Sequence, residues 1–141
     1  MIRILYRHAS RKGLNNIADT EINRSLAQTR SARWVDMQAP TQEEFQRVLV
    51  DIFSFHPLAV EDVISDVHVP KLDDYGGYLF LVLHTLGLGD ERMDIHTYEM
   101  DIFLGANYLV TIHNETRQTI DRLWMPDYHK TDGLARGPAY V

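Results

Sequence analysis

Five carboxylates crowd between positions 61 and 74 of this 141-residue chain: Glu61, Asp62, Asp66, Asp73 and Asp74. Asp62 and Asp66 stand four residues apart, so on a helix they share one face and repel, and Asp66 at the helix C-terminus also meets the negative end of the backbone dipole. A cation nearby would relieve both. Hard cations such as magnesium and calcium take oxygen ligands, and magnesium keeps several waters while touching one or two carboxylates, so the pattern amounts to half a weak site. A solvated acidic face has the same spacing, and the residues alone leave both readings open. Adjacent carboxylates at 61 and 62 point in different directions on a helix, which does not give the facing pair that glycoside hydrolysis requires.

Other chemistry is sparse. The seven His residues are scattered, with no two at helical ligand spacing, and each alone reads as structural. His84, inside an apolar run, reads as a hydrogen-bonded core imidazole, and His113, at a strand end, as a surface residue. No Gly-rich phosphate loop, nucleophile elbow or His-Glu-x-x-His zinc motif occurs. The chain has no Cys, which excludes disulfides, thiolate zinc sites, iron–sulfur clusters and thiol nucleophiles. The reading is therefore of a protein that is not an enzyme and has no small-molecule substrate.

The elements that must position the carboxylates are legible in the patterning. Thr41 and Glu44 form a capping box, and Phe45, Val48, Leu49, Ile52 and Phe53 fall on one helical stripe. His56-Pro57 ends that helix and opens another, from Leu58 to about Ser65, which carries Glu61 and Asp62. Strands are predicted at Ile2 to Arg7, at Arg33 to Met37, and at Tyr78 to Leu83, whose apolar residues on both faces suit a central strand. Tyr98 to Leu104 and Tyr108 to His113 read as a hairpin, with Gly105-Ala106-Asn107 supplying residues tolerant of positive φ. Further helices are predicted from Asp19 to Gln28 and from about Asn114 to Pro126. Helices and strands in this order give an α/β (α+β) domain, a mixed sheet with helices on its faces.

Size and charge bound the rest. With 45% hydrophobic residues, a chain of this length builds one real core. The formal net charge is −6, but unevenly laid: residues 1–33 hold seven basic groups and two acids, and residues 34–101 hold fourteen acids against Arg47, Lys71 and Arg92. The basic charges at the start are interleaved with Ile, Leu and Asn and read as solvated surface, so no nucleic-acid partner is expected. No apolar run approaches the ~20 residues that span a bilayer. The first residues lack a signal peptide's apolar core, which suggests a cytosolic location.

Three stretches are specific: His56-Pro57-Leu58-Ala59-Val60-Glu61-Asp62-Val63, then Pro70-Lys71-Leu72-Asp73-Asp74-Tyr75, then Tyr78-Leu79-Phe80-Leu81-Val82-Leu83. With Trp34-Val35-Asp36, Ile102-Phe103-Leu104-Gly105 and Tyr108 to His113, this order resembles the cytosolic N-terminal domain of CorA-type magnesium transport proteins, from about residue 33 onward. The resemblance implies a three-layer α/β/α regulatory domain over residues 1–130, with 131–141 starting a long connecting helix. It also implies a homo-pentameric partner set of the chain's own subunits at the cytoplasmic face of the cell membrane. The family's Gly-Met-Asn tripeptide and both membrane helices are absent here, so the chain is expected to be an excised domain without its C-terminal membrane part. By the same resemblance, Asp62 with Glu61, and Asp66 beside them, would hold a regulatory Mg2+ between neighbouring subunits and so gate transport. Co2+, Ni2+ or Zn2+ are the other candidate ions. A zinc-transporting relative of the family, a stand-alone α/β enzyme and a pure assembly module are the alternatives.

Overall fold

A computed structural model describes residues 1–8, 15–16, 21–22, 31–65, 69–88, 95–115, 118–125 and 136–140. Runs of alternating side chains build the strands β1 (Ile2–Arg7), β2 (Asn15–Asn16), β3 (Ala32–Gln38), β4 (Lys71–Asp74), β5 (Tyr78–Leu88), β6 (Ile95–Gly105) and β7 (Tyr108–His113). They form one sheet in the order β2-β1-β3-β7-β6-β5-β4. β3 and β7 run parallel and every other neighbouring pair is antiparallel. A parallel pair needs a long crossover, and this one carries two helical segments and the β4–β5–β6 meander.

Side-chain parity sorts the core into two halves. Val35, Met37, Phe80, Val82, Phe103 and Val110 project to one face, where Val48, Leu49, Ala59, Val60 and Val63 of the helical crossover cover them. Leu5, Trp34 and Leu109 project to the other, against Ile120, Leu123 and Trp124 from helix α3 (Gln118–Leu123) and the residue that follows it. The result is the mixed sheet with helices on its faces that the patterning predicts, in the α/β/α layering that the resemblance implies. Among the described residues no helix is long and apolar enough to cross a membrane.

The capping box at Thr41 forms as predicted: the Glu44 amide donates to the Thr41 hydroxyl and the Thr41 amide to the Glu44 carboxylate. The helix it starts, α1 (Gln42–Phe45), then widens into a π-helical stretch over Gln46–Ile52. The widened turn still buries Val48 and Leu49 and leaves the Phe53 ring stacked on Phe55 at 5.2 Å. Helix α2 (Pro57–Ile64) opens where His56-Pro57 places it. The His56 ring nitrogen accepts from the Leu58 amide, and the His56 amide donates to the Tyr78 hydroxyl.

Several details differ from the sequence reading. β5 lies one strand from the sheet edge rather than at its centre, and it runs on to Leu88 opposite a β6 that begins at Ile95. Main-chain pairing carries both strands past the apolar run, into ends where Leu86 is exposed. Gly105 is needed for space rather than for positive φ: a Cβ there would stand 2.3 Å from the Tyr108 ring, which is packed against Phe53. The predicted helix at Asp19 to Gln28 lies outside the described residues apart from Glu21 and the buried Ile22. Within 131–141, Pro138–Tyr140 form a 3₁₀ turn with Pro138 buried.

His113 is buried, not on the surface, because it serves a polar network on the second face. Its Nε2 lies 3.1 Å from Asp36 Oδ1, the Thr111 hydroxyl donates to the same oxygen at 2.6 Å, and Arg3 donates to Oδ2 through Nε and Nη2 at 3.0 and 2.6 Å. The Trp34 indole N–H donates to Thr111, and Arg3 Nη1 reaches on to Asp121 of α3. Burial opposes the charged carboxylate, but the hydrogen bonds of His113, Thr111 and Arg3 outweigh it and hold the Asp36 pKa below its ordinary value.

Removing one member of a buried, hydrogen-bonded ionic set costs about 3–5 kcal/mol, so Asp36→Ala should unfold in urea with roughly that loss. A loss below about 1 kcal/mol would mean that apolar packing alone holds the layers. Because the folded pKa is depressed, the stability it confers is present above the unfolded value and is lost as pH falls through the folded one. Acid melts should therefore weaken wild type more than Asp36→Asn below about pH 4.

Candidate functional site

α2 carries Glu61 and Asp62 past the outer edge of the sheet, and there the carboxylate cluster separates into individual roles. Asp62 is half-buried, and its Oδ2 lies 2.5 Å from the Lys71 ammonium, which lies 3.0 Å from Asp73 Oδ2 as well. Parity explains the meeting, since Lys71 and Asp73 project from β4 to the side of Val82 and Phe80, the side that α2 covers. Hydrogen bonds to Asp62 and then Asp73 raise the Lys71 pKa against a small opposing effect of burial. Repulsion between these carboxylates is thus relieved by an ammonium of the chain itself.

The remaining members go elsewhere. The Glu61 side chain is exposed, while its carbonyl accepts from the Ser65 amide and hydroxyl that close the helix. Asp74 accepts from the Gly76 amide and shapes the β4–β5 turn, in which Gly76 takes a positive φ of 77°. Asp66 lies outside the described residues. Among the described residues no three His, Cys, Asp or Glu side chains are arranged to hold a metal ion. The donor chemistry here is oxygen, which suits magnesium, but a full ligand set around Asp62 would need oxygens from elsewhere.

A second acidic place lies further along α2, and the residue reading missed it. A cleft of about 420 Å³ opens between the end of α2, the start of α1 and strands β6 and β7. Asp101 lines it at 5% exposure, with Oδ1 shielded from solvent and without a hydrogen-bond partner. Burial first, then the charges of Glu99 and Asp62, push its pKa up to about 7, with Lys71 opposing. The signal was available in the sequence: Asp101 shares the parity of Phe103, so it must face the core. His84 stands opposite Glu99 on β5, half-buried rather than enclosed in the core, with Nε2 3.5 Å from the Glu99 carboxylate.

Comparison with known proteins bears on the family and the fold. The family model described as CorA-like Mg2+ transporter protein matches residues 29–127. YfjQ of Bacillus subtilis (strain 168), named for metal ion transport, is 38% identical over 108 residues, 77% of this chain and 32% of its own. The chain therefore spans about a third of the curated relative it matches. The full-length CmaX protein superposes with a TM-score of 0.68 at 13% identity, over 86% of this chain and 37% of its own. The soluble domain of CorA from Methanocaldococcus jannaschii superposes with a TM-score of 0.60 at 17% identity, over 85% of this chain and 44% of its own. Both structures share the fold.

The strained carboxyl makes a distinct prediction. With its folded pKa raised to about 7, the native state holds a proton that the unfolded chain releases near pH 4, so Asp101 lowers stability progressively as pH rises from about 4 to 7. At ~1.36 kcal/mol per pH unit the loss is on the order of 4 kcal/mol. Asp101→Asn should therefore melt higher than wild type at pH 8 and equally at pH 4. A variant less stable at both values would show that the carboxylate is satisfied in the fold.

Proposed function

The chain belongs to the CorA-like Mg2+ transporter protein family, and on that premise we propose that it is the cation-sensing, regulatory domain of a larger divalent-cation transporter. In this reading the domain sits at the cytoplasmic face of the membrane, repeated in a homo-pentamer, and a separate membrane part conducts the ion. The domain performs no catalysis.

The observation that carries the proposal is Asp62 on α2, half-buried beside the edge strand β4 and paired with an ammonium that it shares with Asp73. Lys71 is a third exposed, so its ion pairs are screened and exchangeable. A divalent cation entering between Asp62 and oxygen ligands of a neighbouring subunit would displace Lys71 and bind two negatively charged surfaces together. Exposed Glu61 adds negative charge beside that contact, and Asp66 is the further candidate ligand. Leu58 and Ile64 on the same helix are exposed, apolar surface suited to a subunit neighbour. When cytosolic Mg2+ falls, the ion leaves, Lys71 returns to Asp62, and the subunits loosen. Mg2+ is the expected regulatory ion, with Co2+, Ni2+ and Zn2+ as others that oxygen-rich sites of this kind admit.

One observation favours a second reading, that of an assembly module in which Asp62 is a structural ion-pair partner: Lys71 already neutralises it. The two readings predict opposite signs for one substitution. In the full-length transporter that contains this domain, the sensor reading expects Asp62→Asn to raise the Mg2+ concentration that closes the channel by about tenfold, the equivalent of ~1.4 kcal/mol. It expects Lys71→Gln to lower that concentration, because the competing ammonium is gone. If both variants shift closure the same way, the ion pair is structural and Asp62 is no sensor.

A further inference from the structure

The cleft beside the end of α2 carries chemistry that the Asp62 site does not use. Asp101 is more than nine-tenths buried and its Oδ1 lacks any hydrogen-bond partner. Buried polar groups in native proteins are almost always satisfied, and an orphaned carboxylate is among the most costly exceptions. The charged groups around it do not supply a donor to that oxygen. Glu99 stands two residues away on the same face of β6, Asp62 approaches from α2, and the Lys71 ammonium is held by Asp62 and Asp73. His84 on β5 stands opposite Glu99 and lies nearest that residue's carboxylate. The cleft's lining also brings side-chain oxygens from Gln42, Ser65, Thr97, Tyr98, Asn114 and the exposed Glu115.

The geometry points to a second cation site: we propose that this cleft binds a hydrated divalent cation of the magnesium type against the Asp101 carboxylate, with Glu99 contributing charge. A buried carboxylate with one unpartnered oxygen, lining a cleft that also carries two further acids and hydroxyl and amide oxygens, calls for a hard positive ligand, and the missing partner and the cleft are separate observations. The cleft has room for an ion together with its waters, since a single water occupies about 30 Å³. Among the described residues no three-ligand cluster exists, so most of the coordination shell stays water, as magnesium prefers. Such a site is weak and exchanges quickly. It uses neither Glu61 nor Asp66, and it stands whether or not Asp62 acts as a sensor.

The test is a MgCl2 titration of the 15N-labelled 141-residue chain at pH 8, followed through amide chemical shifts. Mg2+ should move the resonances of Ser65, Thr97, Glu99 and Asn114 along one saturable curve. Asp101→Asn should weaken that curve at least fivefold, Glu99→Gln should weaken it less, and Asp62→Asn should leave it in place. Each variant's spectrum outside the cleft reports whether it is folded. A cleft response that persists in Asp101→Asn would overturn the proposal, as would shifts confined to Glu61, Asp62 and Lys71. The latter result would leave the Asp62 sensor standing, whereas cleft shifts without any at Asp62 would support this site and leave the sensor to be decided in the full-length transporter, where a neighbouring subunit supplies the other ligands.

Discussion

The architecture turns on one buried anion. Asp36 lies on the central part of the sheet, where β3 meets β7 in the sheet's parallel pairing, and it gathers donors from β1 and β7. Through Arg3 the same anion reaches Asp121 on α3, while the Arg3 guanidinium lies over Trp124, whose ring packs at 4.9 Å on Trp34. A parallel pair has no tight turn to set its register. Here a carboxylate that must find its donors sets it instead, since a slip of one residue would turn Asp36 to the opposite face, away from Thr111 and His113. Apolar burial supplies driving force on both faces, but it is indifferent to small shifts of register. The hydrogen-bonded anion is not.

With the layers so fixed, the crossover helices are placed over the opposite face, and α2 carries Asp62 over the sheet edge to Lys71. The motif residues that look chemical turn out to divide into builders and candidates. His56 caps α2, Pro57 starts it, Asp74 shapes a turn, and Tyr78 anchors the His56 backbone. These contacts explain why the stretch from His56 to Tyr78 reads as a specific signature: it encodes a helix start, a strand edge and the bond between them. Asp62, Glu61 and Asp101 are not needed to build those elements. Their charge is what remains to be explained.

Much of this was legible in the chain. The capping box, the helix start at Pro57 and the alternation of β1, β3 and β7 rest on interactions a few residues long, and local patterning reports such interactions directly. The π-helical widening after Phe45 was not legible, because Val48, Leu49, Ile52 and Phe53 fit an α-helical stripe equally well and nothing in that spacing marks where a turn widens. His113 was misread as surface for a related reason. At a strand end its exposure depends on Asp36, seventy-seven residues earlier, which no window along the sequence contains. Asp101 was overlooked although parity marks it. An acid sharing a strand face with Phe103 and, across β5, with Val82 belongs to the core and stands out only once the strand is treated as two-sided.

Asp62 and Asp101 pose the same electrostatic problem with different solutions at hand. The first is half-buried near the sheet edge, where a long flexible side chain such as Lys71 can reach it from solvent and leave it again. The second lies a strand further in, where Val82 separates β4 from β6 and Lys71, already shared between two acids, contributes only through space. A counter-charge tethered to the chain therefore serves the outer carboxylate and cannot serve the inner one. Only a small mobile charge, a proton or an ion, fits the inner position. The proton does so at the cost of the carboxylate's charge, whereas an ion would keep it. Under the two proposals the cleft and the helix edge would be two stations along one helix, and a change in cation occupancy at either would alter how firmly α2 is held to the sheet.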